Sequence, residues 1–166
     1  MNIVVRHAEP EDYRELQRIY SGRRAVAGTL QLPLQSEEKL RKRLSKMPEG
    51  THHLVACVDG EVVGELGLGV STNPRTRHTG NIGMAVHDDW QGKGIGTALM
   101  EAALDLADNW LNLTRIELRV YTDNAAGVAF RSAKDSTPGS SRSPQNTPLT
   151  SGVPSSCRIT RNFKIL

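Results

Sequence analysis

The chain has 166 residues, of which 37% are hydrophobic and 23% charged, a balance that predicts one soluble domain with a hydrophobic core. No stretch approaches the roughly 20 apolar residues that span a bilayer. The start MNIVVRHAEPEDY carries acidic residues where a secretory signal is apolar. We therefore expect a cytoplasmic protein with no membrane partner.

Charge and cysteine content argue against two further kinds of site. The net charge is +3, but the basic residues are scattered and aromatic residues make up only 4%. These features do not favour nucleic acid as a partner. The two cysteines form no CxxC or His/Cys cluster, so no metal site is predicted. Cys57, inside the apolar run HLVACVDG, is predicted to be a buried core residue.

The first 47 residues predict an edge strand and two helices. NIVVRHA has the pattern of a strand, and EPEDYRELQRIY has the pattern of a helix. The apolar face of this helix consists of Tyr13, Leu16, Ile19 and Tyr20. SGRRAVAGTLQLP shows no clear period and predicts a loop. Ser36 is a candidate N-cap for the polar helix SEEKLRKRLSKM. Its narrow apolar stripe consists of Leu40, Leu44 and Met47.

The middle of the chain predicts strands followed by a long helix. HHLVACV and EVVGELGLGV are joined by Asp59-Gly60, a strong hairpin signal, and TGNIGMAV is a third strand. A helix from about Ile95 to Trp110 has an apolar repeat at Leu99, Ala103, Leu106 and Trp110. TRIELRVYT is a further strand, and Asp123 or Asn124 would cap a following helix. The order predicts an α/β fold with a mixed sheet and a crossover helix between its last two strands.

The segment QGKGIGT lies between the strand that ends at Val86 and the long helix. The first N–H groups of a helix have no intrahelical partner, and the helix dipole adds partial positive charge there. Glycines at positions 92, 94 and 96 let an anion approach the backbone, and Lys93 adds a charge. The segment therefore predicts a pyrophosphate site.

Three pyrophosphate ligands are alternatives at this loop. A nucleoside triphosphate requires GxxxxGK[ST], and no Ser or Thr follows Lys93. A dinucleotide requires GxGxxG after an early strand of a parallel βαβ unit, whereas the glycine spacing differs here and the preceding strands form a hairpin. Coenzyme A remains, and the wider pattern favours it.

That wider pattern resembles the GNAT superfamily of acetyl-CoA-dependent N-acetyltransferases. The family motif Q/R-x-x-G-x-G/A is met by Gln91, Gly94 and Gly96, and IGMAVHDDWQGKGIGTALMEAAL matches its surroundings. The resemblance covers about residues 3–130 and implies a mixed, mostly antiparallel sheet flanked by helices. It also implies acetyl-CoA as co-substrate and a small amine or amino acid as acceptor.

The resemblance assigns cofactor-binding residues. The pantetheine arm would pair with the fourth strand in a gap between the fourth and fifth strands, and the pyrophosphate would lie on the loop amides. The implied residues are Met84, Ala85, Val86, Gln91, Gly92, Lys93, Gly94, Ile95, Gly96, Thr97 and Asn124. The acceptor amine would attack the thioester carbonyl directly, with a backbone N–H holding the oxyanion.

The groups that move protons are not assigned by the sequence. An amine must lose a proton before it attacks, because its pKa ranges from about 8 to about 10.4. The candidate bases are Glu65, His87, Asp88 and Glu117, each of which also fits a surface or strand-face charge. In the family a tyrosine seven residues after the asparagine commonly returns a proton to the thiolate, but Arg131 occupies that position.

The pattern of predicted helices and strands ends at Phe130. We therefore divide the chain into an acetyltransferase domain, 1–130, and a Ser/Pro-rich irregular tail, 131–166. The family has Gly-Phe near positions 135 and 136 and then two strands, which are expected to be missing here. The tail composition is that of a flexible linker. SCRITRNFKIL has a weak strand pattern and is the one candidate to cover the open edge of the fifth strand.

A shift of reading frame is the sharper hypothesis for the tail. Lys134, Asp135 and Ser136 can be encoded by the codons AAR-GAY-TCN. When the same nucleotides are read in the frame that starts one nucleotide earlier, the codons are NAA-RGA-YTC, which can encode Lys-Gly-Phe. This places the expected Gly-Phe pair where the family has it. We hypothesise that the frame shifts between Phe130 and Ala133.

Two functions follow from these patterns. The first is an N-acetyltransferase acting on a small amine or amino acid. The second is a catalytically impaired or non-enzymatic acyl-CoA-binding remnant, favoured by Arg131 and the missing strands. The oligomeric state is not determined by the sequence, and a homodimer is left open.

Overall fold

The computed structural model describes residues 1–29, 31–32, 35–121, 124, 125, 127 and 129, together with the backbone of 154–160. The strands are β1 (Ile3–His7), β2 (Thr51–Val58), β3 (Glu61–Val70), β4 (Thr79–Val86), β5 (Arg115–Tyr121) and β6 (Pro154–Thr160). The helices are α1 (Tyr13–Ser21), α2 (Arg23–Gly28), α3 (Glu37–Ser45) and α4 (Ile95–Asn109), with 3-10 helices at Pro10–Asp12 and Asp88–Trp90. Within these ranges no helix combines the length and apolar character needed to cross a membrane.

The described strands form one sheet in the order β1-β2-β3-β4-β5-β6. Neighbouring strands run antiparallel except for β4 and β5, which are parallel and are connected through α4. A parallel pair needs such a crossover because its strands start at the same end of the sheet. The predicted mixed, mostly antiparallel sheet flanked by helices is confirmed, and β1 is the predicted edge strand.

Each face of the sheet carries a hydrophobic core. On one face α4 packs with Leu99 and Met100 fully buried against β-strand residues such as Leu66. On the other face α1 and α3 pack with Leu16 and Leu40 fully buried. The sheet therefore lies between two helical layers, and its central strands are buried on both sides.

Local signals for the turn and the cap are confirmed. Asp59 and Gly60 both have positive φ, 50° and 86°, as a two-residue hairpin turn requires. Ser36 caps α3 by accepting a hydrogen bond from the Lys39 N–H. Cys57 is buried.

Three predictions about the helices need correction. Part of the predicted loop 21–33 is helix α2, which is too short to show a helical period. Its N-terminus is capped by a residue outside the helix, since Asp88 accepts hydrogen bonds from the N–H groups of Arg24 and Ala25. Met47 lies beyond the end of α3 and is 39% exposed. Trp110 follows the last residue of α4 and is 76% exposed, so it is not part of the apolar face.

A close approach between α4 and the sheet depends on Gly64. A Cβ at this position would lie 2.8 Å from Ile95 Cγ2 and 3.1 Å from Leu99 Cδ1, and both side chains are fully buried. We expect Gly64→Val to destabilise the protein by about 1–3 kcal/mol, because overpacking forces α4 away from β3. Urea unfolding measures this loss. Gly83→Val, at a β4 position with nothing within 4 Å, is the matched control for the loss of a strand glycine and should cost clearly less stability.

The tail contributes one strand to the sheet. Residues Pro154–Thr160 pair antiparallel with β5, from Tyr121 opposite Pro154 to Arg115 opposite Thr160. The expectation of an irregular tail is therefore wrong for this stretch, and the weak strand signal near the end of the chain is confirmed. The physical reason is that an open edge of β5 presents unpaired N–H and C=O groups that a further strand satisfies. Asp123, Phe130, Arg131, Asp135 and Ser136 lie outside the described residues.

Candidate active site

The parallel strands β4 and β5 pair over only part of their length. Their register runs from Thr79 opposite Arg115 to Ile82 opposite Leu118, whereas β4 continues to Val86. In the described part of the chain, the β5-facing edge of residues 83–86 therefore has no strand partner. This gap lies where the resemblance predicted one, beside Met84, Ala85 and Val86.

A large cavity opens over this gap. Its volume is about 1010 Å³, a size typical of pockets that enclose a sizeable ligand. Walls come from the helices α1, α2 and α3, the strands β2 to β5, the glycine loop and the start of α4. Of the predicted binding residues, the cavity lining includes Met84, Ala85, Val86, Gln91, Gly92, Gly94, Gly96, Thr97 and Asn124. The structure thus brings nine of the eleven together around one space.

The glycine loop owes its shape to left-handed backbone. Gly92 has φ 75° and Gly94 has φ 86°, values that other residues rarely adopt. The Cβ position of Gly92 has nothing within 4 Å, and that of Gly94 meets only Ile3 Cδ1 at 4.0 Å. Gly94 is also the N-cap of α4 and makes no side-chain cap bond, unlike Ser36 in α3. The N–H groups of the first turn, where Gly96 and Thr97 lie, are available to an anion.

The motif glutamine braces the loop against β4. Gln91 Nε2 donates to the Val86 carbonyl at 3.2 Å and lies 3.4 Å from Asp88 Oδ1. Sequence reasoning placed Gln91 among the cofactor-binding residues without this role. Because the Val86 carbonyl already accepts a hydrogen bond, it has less capacity for a ligand than the resemblance implied.

Lys93 and Ile95 do not contribute side chains to the cavity lining. The Lys93 ammonium lies 4.8 Å from the centre of the Trp90 ring, and its side chain is exposed. Ile95 is 1% exposed and belongs to the core under α4. For these two residues, binding of the cofactor by the backbone N–H group is the part of the prediction that remains.

Asn124 joins two elements at the rim of the cavity. Its Oδ1 accepts a hydrogen bond from the Gly127 N–H at 2.9 Å, which is the predicted cap geometry. Its Nδ2 donates to the Gly28 carbonyl at the end of α2, 3.1 Å away. A Cβ at Gly28 would lie 2.7 Å from this nitrogen, so glycine is required for the contact.

All four candidate bases have structural partners. Both oxygens of Asp88 accept N–H groups of α2, and Asp88 therefore acts as the cap of that helix. His87 Nδ1 accepts from the Asp89 N–H at 3.3 Å. Glu117 lines the cavity and lies 2.5 Å from Arg115 Nη2.

The fourth candidate, Glu65, is the centre of a buried polar cluster with Tyr20, Arg43 and His53. Its Oε1 accepts from His53 Nδ1 at 2.7 Å and from Arg43 Nη2 at 2.9 Å, and its Oε2 accepts from the Tyr20 hydroxyl. Glu65 is 2% exposed. Burial raises its pKa, but the His53 hydrogen bond and the Arg43 charge outweigh burial and hold the pKa below its usual value.

Sequence reasoning did not connect His53 with Glu65, because a β-bulge changes the pairing of their two strands. The β2–β3 register shifts between Ala56, opposite Gly64, and Cys57, opposite Val62. A regular hairpin would place His53 opposite Leu66, on the other face from Glu65, whereas the bulge places it opposite Gly67. The adjacent apolar pair Val62-Val63 before Gly64 is the one signal for the bulge in the sequence.

Comparisons with known proteins agree with this geometry. The model of the acetyltransferase (GNAT) family matches residues 12–131. The L-amino acid N-acetyltransferase AaaT of Escherichia coli (strain K12) is 40% identical over 126 residues, which cover 76% of this chain and 77% of that protein.

Two solved structures share the fold. A GNAT-family acetyltransferase from Streptococcus pneumoniae has a TM-score of 0.68 and 25% identity, with 80% of this chain and 82% of that chain covered. A protein from Streptococcus mutans UA159, at 20% identity, has a TM-score of 0.71 over 98% of this chain and 99% of its own. With the family match extending over most of the described residues, this chain belongs to the acetyltransferase (GNAT) family.

Proposed function

We propose that this N-acetyltransferase transfers the acetyl group of acetyl-CoA to the primary amine of a small molecule, with L-amino acids as the leading class of acceptor. The observation that carries the proposal is the unpaired edge of β4 beside the glycine loop, with one cavity extending over both. A strand edge suits an extended amide-containing arm, and uncapped helix N–H groups suit a pyrophosphate.

The donor would be held mainly by backbone. Residues Met84 and Ala85 offer the strand edge, and the loop from Gly92 to Thr97 offers N–H groups in a left-handed, side-chain-free cradle. When bound, acetyl-CoA supplies an activated acyl group. The protein's own contribution is to fix that group at the gap and to exclude competing nucleophiles.

The charges around the cavity support a zwitterionic acceptor. Glu117 lines it with negative charge and Arg24 and Arg119 line it with positive charge, while the charges of Glu65 and Arg43 offset each other. An amino acid carries both an ammonium and a carboxylate, which such a mixed lining complements. The Escherichia coli relative is an L-amino acid N-acetyltransferase by name, which supports the same class.

Release of free thiol from acetyl-CoA tests this function on the full chain. The acceptor panel contains L-amino acids, their methyl esters and spermidine. We expect the free acids to be acetylated, with kcat/KM at least tenfold above that of the esters, because only the acids carry a carboxylate for arginine. Equal rates for acids and esters, or a preference for spermidine, would contradict the acceptor class. Binding of acetyl-CoA without any thiol release would instead support the non-enzymatic remnant.

A cytoplasmic location and a homodimer stay predictions. Fractionation of the producing cells and light scattering of the purified chain measure them directly.

A further inference from the structure

The His53 imidazole has one nitrogen fixed by a partner and one available. Nδ1 bonds to Glu65 Oε1 at 2.7 Å, and the ring makes no other hydrogen bond within the described residues. An ionised carboxylate can only accept, so Nδ1 must carry the hydrogen. In the neutral ring the lone pair is then at Nε2, the position of a proton acceptor.

The surroundings favour the ionised state of Glu65. Arg43 and the Tyr20 hydroxyl both donate to it, and its pKa lies below the usual value although burial opposes this. The ionised carboxylate therefore accepts the Nδ1 hydrogen of His53, and this bond fixes the orientation of the ring.

Glycines connect His53 to the gap between β4 and β5. His53 pairs with Gly67, and Gly67 pairs with Gly83, the first β4 residue beyond the last β4–β5 pair. A Cβ at Gly67 would lie 3.3 Å from His53 Cε1, and nothing lies within 4 Å of the Cβ position at Gly83. These glycines leave a trough across the sheet from β2 to β4. Since neighbouring strands lie about 4.8 Å apart, the trough is about 10 Å long, which is enough for one small acceptor.

We propose that His53 is the general base of acetyl transfer and that Glu65 is its positioning residue. This inference rests on the proposed function. The acceptor ammonium gives one proton to His53 Nε2, and the free nitrogen lone pair forms the C–N bond with the thioester carbonyl carbon. The C–S bond breaks, the departing thiolate takes a second proton from the nitrogen, and the imidazolium returns its proton to water.

Charged groups from several elements face His53 and Glu65 and influence how the rate of acetyl transfer depends on pH. Tyr20 from α1 and Arg43 from α3 contact Glu65 directly. Among the described lining residues, Arg24 from α2 and Glu117 and Arg119 from β5 add the remaining charges of the cavity. The neighbouring His52 is not in the cavity lining, and its ring lies 6.2 Å from that of His7.

Kinetics of His53→Gln, with His52→Gln as the matched control on the same strand, test the proposal. We expect kcat/KM of His53→Gln to fall about 100-fold or more, with the acetyl-CoA-induced thermal shift retained, while the control stays within twofold. The pH profile separates a base from a structural residue. The wild-type rate should level off at a pH where the acceptor amine is still protonated, whereas the rate of His53→Gln should gain about tenfold per pH unit until the amine is deprotonated. A wild-type rate and profile in His53→Gln would overturn the proposal.

A second measurement needs neither turnover nor a folded variant. Long-range ¹H–¹⁵N NMR of the wild-type chain at pH 7.5 should show His53 protonated at Nδ1 and unprotonated at Nε2. The opposite tautomer, or an imidazolium at this pH, would overturn the assignment. If the wild type acetylates no amine at all, the proposed function fails, and the NMR result still decides the state of His53 by itself.

Discussion

Replacement of Gly94 by alanine is expected to weaken acetyl-CoA binding at least tenfold. Gly94 has φ 86° and caps α4 at the rim of the cavity. A Cβ there would project into open space that the anion is expected to fill, and the left-handed backbone would become strained by about 1–2 kcal/mol. Calorimetric titration with acetyl-CoA measures the change in affinity.

Gly60→Ala is the matched control for this substitution. Gly60 also has φ 86°, and its Cβ position has nothing within 4 Å, but it lies in the β2–β3 turn and is not in the cavity lining. Both variants should lose similar stability, and only Gly94→Ala should lose affinity. Equal affinity in the two variants would show that the glycine loop is not the pyrophosphate site.

Glu65→Gln is expected to lower the free energy of unfolding by about 3 kcal/mol at pH 7. The substitution leaves the Arg43 charge, which is largely buried, without its carboxylate partner. Because the folded pKa of Glu65 is lowered, its ionisation stabilises the protein fully above its ordinary pKa of 4.5. That stability is lost as the pH falls through the folded value, so the difference between wild type and variant should shrink below about pH 4.5. Urea unfolding at a series of pH values measures it.

Glu61→Gln is the control on the same strand. The Arg18–Glu61 pair is 3.7 Å apart with both side chains more than half exposed, so its loss should cost less than about 0.5 kcal/mol. If Glu65→Gln also cost this little, or if its effect did not depend on pH, the buried cluster would not be the ionised network described above.

Most of the fold was predictable because its signals are local. The Asp59-Gly60 turn, the Ser36 cap and the alternation of β5 each depend on neighbouring residues, and each is confirmed. Helix α2 was missed because its cap, Asp88, is more than sixty residues away in sequence. Trp110 was misplaced because α4 ends one residue before it, a boundary that periodicity does not mark.

The donor side of the site was predictable for the same reason, since one short glycine-rich segment carries it. The acceptor side was not. His53 and Glu65 share a face only through the one-residue bulge in β3, and a simple pairing of the hairpin separates them. Tyr20 and Arg43 then reach Glu65 from two helices, a tertiary contact that no spacing in the sequence encodes.

The reading-frame hypothesis stays a prediction. The family match ends at residue 131, next to the proposed shift between Phe130 and Ala133, and the boundary between domain and tail stays a prediction as well. The nucleotide sequence of the gene tests the hypothesis. An alternative frame that encodes Gly-Phe followed by two strands would support it, and stop codons in that frame would contradict it.

The most direct test of the central claim is the thermal unfolding of the 166-residue chain with and without acetyl-CoA. At about 100 times its Kd, a ligand of the folded state stabilises it by roughly 2.7 kcal/mol, which for a domain of this size raises Tm by about 5–10 °C. We expect a cooperative transition and a shift of this size with acetyl-CoA. The absence of any shift at millimolar acetyl-CoA would contradict a donor site at the gap between β4 and β5.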